Sequence, residues 1–181
     1  MSDLALSFDT FTYKDYKDWP EDFRCELIDG VVYMMPAPLI WHQEIVTELG
    51  FQLRGFFKGK PCRALVAPVD VRLFPQTDDS DDVVVQPDLV VICDEAKLSD
   101  GKACRGAPDL VIEILSESTK SHDLRLKLDL YKKAGVREYW TVGSDAVKVC
   151  QFKPEFIEII SDLKEINEVK SRIFSDLALK F

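Results

Sequence analysis

Three ionisable residues lie in segments whose pattern predicts burial, and their types could hold a metal ion and handle a proton. Asp88 comes directly before the apolar run 89–92, and Glu113 interrupts the apolar segment 110–115. Lys127 lies among helix-forming residues, on a face that it shares with apolar side chains. Because an isolated buried charge is costly, charged residues at such positions usually form ion pairs or bind metal ions.

Two interpretations of these residues stay open at this point. Glu113 and Lys127 could form a structural ion pair, or the carboxylates could simply reach water at strand ends. Alternatively, Asp88 and Glu113 converge from adjacent strands and bind Mg²⁺ or Mn²⁺, which prefer oxygen ligands. Asp109 is not a candidate partner, because residues four apart on a strand lie about 13 Å apart. A nearby lysine could then orient or deprotonate water, or neutralise charge in a transition state.

The segments before these residues predict a hairpin and a long helix. Residues 26–35 place Asp29-Gly30 between two short apolar arms, which is a strong signal for a β-hairpin. In residues 40–57, apolar side chains recur every three or four positions, which predicts a helix.

The rest of the chain predicts strands around a second helix. Runs rich in Val and Ile, bounded by Pro, Gly and Asp, indicate buried strands. Leucines alternate in part of the later segment, but good helix formers and a following Gly135 favour a helix there. The tail from Pro154 is expected to add a strand and a terminal helix. The predicted elements are strands at 62–74, 83–93 and 109–115, a helix at 121–134, and strands at 138–142 and 147–152.

Composition places the chain among ordinary globular proteins with an acidic balance. It has 181 residues, with 32 acidic and 23 basic side chains, and a formal charge of −9. No apolar run is long enough to span a membrane, and the first residues do not resemble a secretory signal. We therefore expect a cytoplasmic protein without a membrane partner. The acidic balance argues against a general nucleic-acid coat, though not against an enzyme with one local basic patch.

Cysteine usage and one acidic run add two further expectations. The five cysteines are odd in number, scattered, and without a CxxC pair, so a zinc site is not expected and most should be small buried residues. Four acids in residues 78–82 predict a solvated loop.

Six segments, in order along residues 10 to 150, resemble the PD-(D/E)XK nucleases. Within that group the chain is similar to a large family of restriction-endonuclease-like proteins, Uma-type, long a domain of unknown function. Pro87-Asp88 would be the PD element and Glu113 the acid of the second element. Leu115 stands where the wider pattern has lysine, and the resemblance moves that role to Lys127 on the following helix. The matching segments are 26–30, 36–42, 67–73, 85–91, 106–116 and 127–140.

The resemblance implies a fold and an activity. The fold is α/β, a central mixed sheet flanked by helices, with a core at about residues 40–152, an N-terminal hairpin extension, and one domain over residues 1–181. The activity is a Mg²⁺- or Mn²⁺-dependent endonuclease on duplex DNA, with Asp88, Glu113 and Lys127 as catalytic residues and the two acids as metal ligands. Cutting both strands favours a homodimer. The alternative is an inactive protein of the same fold that binds DNA or another protein.

Several further residues could support the proposed catalytic residues. Glu44 could add a metal ligand or be an exposed helix carboxylate, and Asp70 could approach the site or belong to a turn or edge. Asp123 could hold the amine of Lys127 from one turn away, and His42 is read as a contact at the helix start. Three basic residues could grip phosphates or form a solvated face: Lys120, Arg125 and Lys132.

Overall fold

The computed structural model describes residues 10–20, 22–115 and 122–181, which form two large β-sheets, a two-stranded ribbon and two long helices. Within these residues, no helix is both long and apolar enough to cross a lipid bilayer. The helices are α1 (Tyr13–Tyr16), α2 (Ile40–Phe57) and α3 (His122–Ala134), with a 3-10 turn at Glu95–Leu98. The strands are β1 (Cys25–Ile28), β2 (Val31–Met34), β3 (Arg63–Val66), β4 (Asp70–Arg72), β5 (Val84–Val85), β6 (Leu89–Ile92), β7 (Ala103–Arg105), β8 (Leu110–Ile114), β9 (Glu138–Val142), β10 (Ala146–Gln151), β11 (Ile157–Asp162), β12 (Glu168–Lys170) and β13 (Ala178–Lys180).

A six-stranded mixed sheet lies at the centre of the fold. Its strand order is β11-β10-β9-β8-β6-β3, and β8 and β9 run parallel whereas the other neighbours are antiparallel. Side chains alternate between the faces of a strand: Val91 packs in the cluster that contains Leu53 of α2, and Val90 in the cluster that contains Leu130 of α3. The two helices therefore cover opposite faces, as the predicted α/β restriction-endonuclease-like class requires.

A five-stranded sheet, ordered β2-β1-β5-β4-β7, adjoins the central one. The sequence predicted single strands at 62–74 and at 83–93, and both predictions are wrong. Each run is two strands in different sheets, with β3 and β6 in the central sheet and β4 and β5 in the second. The breaks lie at Pro68 and Pro87, because proline cannot donate to a strand ladder.

The predicted N-terminal hairpin is confirmed. β1 and β2 are antiparallel neighbours joined by Asp29 and Gly30, whose φ angles are 51° and 76°. Such a two-residue turn with two positive φ angles matches the twist of the strands. A Cβ atom on Gly30 would lie 3.0 Å from the Cβ of Thr10, so glycine also lets the preceding segment pass close by.

The C-terminal tail differs from the prediction. β11 extends the central sheet, but no terminal helix forms in the described residues 154–181; β12 and β13 pair instead. Glu138, fully buried in β9, holds the loop between β12 and β13, since its Oε2 accepts hydrogen bonds from the backbone N–H groups of Arg172 and Ile173 at 2.7 and 2.9 Å. A short apolar pattern in the sequence does not reveal this anchor.

Two of the five cysteines are paired in the structure. Cys25, Cys104 and Cys150 are buried thiols as predicted, but Cys62 and Cys93 form a disulfide between the ends of β3 and β6. Neighbouring strands bring the two sulfur atoms together although 31 residues separate them in sequence.

The acidic run 78–82 is only partly solvated, contrary to the prediction. Asp81 is 3% exposed and its carboxylate pairs with the guanidinium of Arg72, which is 1% exposed. Asp79 contacts the same guanidinium at 2.9 Å and also Lys17 at 2.9 Å. Two of the four acids are therefore used to neutralise a buried arginine.

Candidate active site

Asp88 and Glu113 lie side by side where two antiparallel strands end. Leu89 of β6 is paired with Ile112 of β8, so the next residues, Asp88 and Glu113, are neighbours across the strands. Oδ2 of Asp88 accepts the backbone N–H of Ile114 at 2.9 Å, which fixes this carboxylate against β8. Asp88 on the adjacent strand, rather than Asp109 on the same strand, is therefore the carboxylate next to Glu113.

Helix α3 presents two donors to Glu113. Glu113 lies two residues after Val111 and therefore on the same face of β8; Val111 packs in the α3 cluster, so the carboxylate faces that helix. Oε1 of Glu113 accepts a hydrogen bond from Nζ of Lys127 at 3.0 Å and from the hydroxyl of Tyr131 at 2.8 Å. Lys127 and Tyr131 are one helical turn apart and therefore share a face.

A third carboxylate, Glu26 of β1, completes the cluster and was missed by the sequence analysis. Its Oε1 accepts from Nζ of Lys127 at 2.9 Å and from the backbone N–H of Gln86 at 2.9 Å. Glu26 is 6% exposed, and all four residues of β1 are buried. The sequence feature that could have revealed Glu26 is its place as an acid between Cys25 and Leu27, in a strand that precedes a tight turn.

His42 contacts the carboxylate cluster, in addition to lying near the start of α2. It is 8% exposed, and its Nε2 lies 3.2 Å from Oδ2 of Asp88. That contact raises the pKa of His42 above its usual value, although burial opposes the shift. Its Nδ1 atom is buried and has no hydrogen-bond partner among the described residues.

Burial and neighbouring charges set the protonation of the cluster. Burial raises the pKa of Glu113 to about 7; Lys127 opposes the rise, and the charges of Asp88 and Glu26 add to it. Burial lowers the pKa of Lys127, but the carboxylates of Glu113 and Glu26 outweigh that effect and raise it above its ordinary value. The ammonium therefore stays charged near neutral pH, while Glu113 changes charge there.

The cluster opens into a cavity of about 800 Å³. Its charged floor includes Glu26, Asp88, Glu113 and Lys127. Its rim is largely apolar and comes from β2 and the segment up to α2: Tyr33, Met34, Met35, Pro36 and Leu39. The acids are thus recessed behind apolar side chains rather than displayed on the surface.

The supporting residues predicted from the sequence are dispersed. Glu44 is exposed on α2 and is not among the residues that line this cavity. Asp70 lies in a neighbouring cavity, where Tyr16 and Gln86 donate to its Oδ1.

The predicted phosphate contacts are described only in part. Lys120 and the side chain of Asp123 lie outside the described residues, and Arg125 is exposed. Lys132 is exposed and its Nζ lies 5.0 Å from the ring centre of Phe156.

The donor set fits a hard divalent cation that would also keep water ligands. Within the described residues, Glu113 is contacted through Oε1 and Asp88 through Oδ2, so Oε2 and Oδ1 have no hydrogen-bond partner there. No group of three or more His, Cys, Asp or Glu side chains in the described part of the chain is arranged to hold a metal. Two carboxylates with waters is the arrangement that Mg²⁺ commonly accepts.

Comparison with known proteins decides the family. A family model named Uma2 and described as "Putative restriction endonuclease" matches residues 13–179. The chain belongs to the Uma2 family. Uma2 membership agrees with the resemblance found in the sequence and places the protein among restriction-endonuclease-like, nuclease-related chains.

One solved structure supports the Uma2 fold. It is described as "a putative nuclease belonging to DUF820 from Anabaena variabilis", with 22% sequence identity, a TM-score of 0.73 and coverage of 94% of both chains. At this identity the likeness establishes the fold. Among the curated proteins no match was found.

Proposed function

We propose that this Uma2 protein is a metal-dependent phosphodiester hydrolase, an endonuclease that acts on duplex DNA. The observation that carries the proposal is the contact of Lys127 with Glu113 at 3.0 Å, beside Asp88 on the adjacent strand. Two acids that could bind a metal and one amine in a recessed cleft are groups that can promote phosphodiester hydrolysis.

Asp88 and Glu113 would hold Mg²⁺ or Mn²⁺. A divalent cation bound there would lower the pKa of a coordinated water and offset negative charge on the phosphate. Lys127 pairs with Glu26 and Glu113, and Asp88 pairs with His42, so three carboxylates share one ammonium and one imidazole. An additional cation would offset negative charge that these two groups leave uncompensated. Burial is the main cause of the raised pKa of Glu113, and the charges of Asp88 and Glu26 add to it.

Lys127 would act as a positive hydrogen-bond donor rather than as a base. The two carboxylates raise its pKa, so it carries its proton at neutral pH. Its ammonium can orient the attacking water or donate to a phosphate oxygen as charge develops. Glu26 holds this ammonium from a second direction at 2.9 Å and would therefore position it.

The test is cleavage of supercoiled plasmid while Mg²⁺ or Mn²⁺ is titrated. We expect metal-dependent nicking, and a loss of at least about 100-fold in Glu113→Gln and Asp88→Asn. Glu44→Gln is the matched control, because it removes an exposed acid outside the cavity and should cleave like the wild type. Circular dichroism would establish that the variants are folded. Equal cleavage by all four proteins would refute the proposal.

A second candidate is an inactive Uma2 protein that binds DNA or another protein. Two observations favour it: Glu113 already has Lys127 and Tyr131 as partners, and Leu115 stands where the wider pattern has lysine. This candidate predicts DNA or protein binding without hydrolysis in any divalent metal. It also predicts that Glu113→Gln leaves binding unchanged.

Duplex DNA, a homodimer, a cytoplasmic location and a single domain over residues 1–181 belong to the same proposal. A two-fold dimer would bring two copies of the cluster to opposite strands. Sedimentation of the protein with and without a short DNA duplex tests this part. A monomer in both conditions would contradict it.

A further inference from the structure

A second cavity, of about 480 Å³, adjoins the candidate active site. Pro68 and Gln86 line both cavities and form their common wall, whereas Asp88, Glu113 and Lys127 line only the larger one. The volume falls within the range of sites that hold small organic groups. We call this space, lined by Trp19, Phe23, Arg63, Asp70, Gln86 and Lys102, the aromatic pocket.

Aromatic rings and cations line this pocket together. The ring centre of Trp19 lies 5.4 Å from that of Tyr16 and 5.5 Å from that of Phe23. Phe23 is 41% exposed, so a large apolar ring is left in contact with solvent. The exposed residues Arg63 and Lys102 add positive charge to the lining. Proteins that bind single-stranded nucleic acid commonly combine aromatic rings, on which bases stack, with positively charged side chains.

Two side chains in the lining also offer acceptors, Asp70 and Gln86. Asp70 is half-buried, and its Oδ1 is held by the hydroxyl of Tyr16 and by Nε2 of Gln86, both at 2.9 Å. Oε1 of Gln86 is buried and has no hydrogen-bond partner among the described residues. Every unpaired base offers at least one N–H donor on its pairing edge, and acceptors at a pocket wall match that edge.

The pocket and the carboxylate cluster are joined by one residue. The backbone N–H of Gln86 donates to Glu26 in the cluster, and its side-chain amide donates to Asp70 in the pocket. The two cavities are therefore adjacent, so a strand bound at Asp88 and Glu113 would pass beside the pocket.

We propose that the aromatic pocket binds one unpaired or flipped-out nucleobase of the strand whose backbone lies at the carboxylate cluster. This inference rests on the proposed function for the location of that backbone. The base stacks on Trp19 or Phe23 and directs its pairing edge towards Asp70 and Gln86, while Arg63 and Lys102 attract adjacent phosphates. The protein would then bind single-stranded or distorted DNA more tightly than a regular duplex, because unstacking a base costs less there.

The test compares a single-stranded pentathymidylate with the same sugar–phosphate backbone without bases. Binding is measured by fluorescence anisotropy in Ca²⁺, and the oligonucleotide is checked for integrity afterwards. For the wild type we expect the oligonucleotide with bases to bind about tenfold more tightly. In Phe23→Ala this preference should fall to about twofold or less, while affinity for the bare backbone stays the same.

Phe51→Ala is the matched control, because Phe51 is an equally large and more exposed ring, 76% exposed, that lines neither cavity. It should keep the full preference for bases. The inference is overturned if the wild type binds both oligonucleotides equally, or if Phe23→Ala and Phe51→Ala behave alike.

Plasmid cleavage in Mg²⁺ separates failure of this inference from failure of the proposed function. Base-dependent binding through Phe23 without cleavage would refute the hydrolase and leave the pocket as a nucleic-acid site. Cleavage together with base-independent binding would refute the pocket and leave the hydrolase.

Discussion

Tyr131 and Lys127 donate to the same oxygen atom of Glu113, at 2.8 and 3.0 Å. The other carboxylate oxygen has no hydrogen-bond partner among the described residues. Helix α3 therefore fixes the direction in which Glu113 can offer a ligand, and the proposed mechanism depends on that direction.

Removing the Tyr131 hydroxyl should shift the pH dependence of cleavage. In Tyr131→Phe the carboxylate of Glu113 loses one donor, so its charged form becomes less stable and its pKa rises further. We expect the rising limb of the pH–rate profile to move to higher pH. Tyr139→Phe is the control, since the Tyr139 hydroxyl is buried without a partner in the described part of the chain. A profile that moves equally in both variants would contradict the assigned role.

The stability of the metal-free protein should respond to Glu113 between about pH 4.5 and pH 7. Burial raises the pKa of Glu113 to about 7, from an ordinary value of 4.5. In that interval the unfolded chain releases this proton and the folded chain keeps it, so the contribution of Glu113 to stability falls as pH rises. Glu113→Gln removes this decline, and its stability relative to the wild type should increase by roughly 3 kcal/mol across the interval. Urea unfolding at several pH values measures it; a constant difference would show that the pKa is not raised.

Replacing Lys127 should destabilise the fold unless a carboxylate is neutralised as well. Lys127→Met leaves Glu113 and Glu26 buried without their shared cation, and removing one partner of a buried pair costs about 3–5 kcal/mol. The double variant Lys127→Met/Glu113→Gln should recover part of that loss. A double-mutant cycle from urea unfolding gives the coupling energy. Additive effects would mean that the two residues do not interact in solution.

The buried Arg72–Asp81 pair should matter far more than an exposed pair. Asp81→Asn leaves the buried Arg72 guanidinium with Asp79 as its remaining acid among the described residues, so we expect a loss of about 3 kcal/mol. Glu158→Gln breaks the exposed pair with Lys148, 3.1 Å apart, and should cost at most about 1 kcal/mol. Thermal unfolding of both variants compares them. Similar melting temperatures would contradict the structural role assigned to Asp81.

Local patterns in the sequence sufficed for the long helix α2 and the N-terminal hairpin. The helix over 40–57 has the predicted bounds because apolar periodicity and length specify it, and the hairpin follows from the Asp29-Gly30 turn. The break in each long apolar run could not be foreseen in the same way. A run of valines fits a strand in either sheet, and only the tertiary arrangement decides where Pro68 and Pro87 divide it.

The candidate site could be predicted only in part, for a similar reason. Asp88, Glu113 and Lys127 attract attention because each is a charge in an apolar pattern. Glu26 and His42 join them through contacts between residues distant in sequence, and no local pattern encodes that closeness. The disulfide between Cys62 and Cys93 was not predicted, because strand pairing, rather than spacing along the chain, brings the two cysteines together.

Because Glu26 and Glu113 lie in different sheets, a movement of one sheet relative to the other would change their contacts with Lys127. Glu26 belongs to the five-stranded sheet and Glu113 to the six-stranded one, and one ammonium group spans the junction between them. Sliding of one sheet against the other by an ångström would stretch one of these bonds and favour the other. The balance of charge around the proposed cation therefore depends on the relative position of the two sheets. A nucleic-acid strand that enters the cleft and separates the sheets would change that balance.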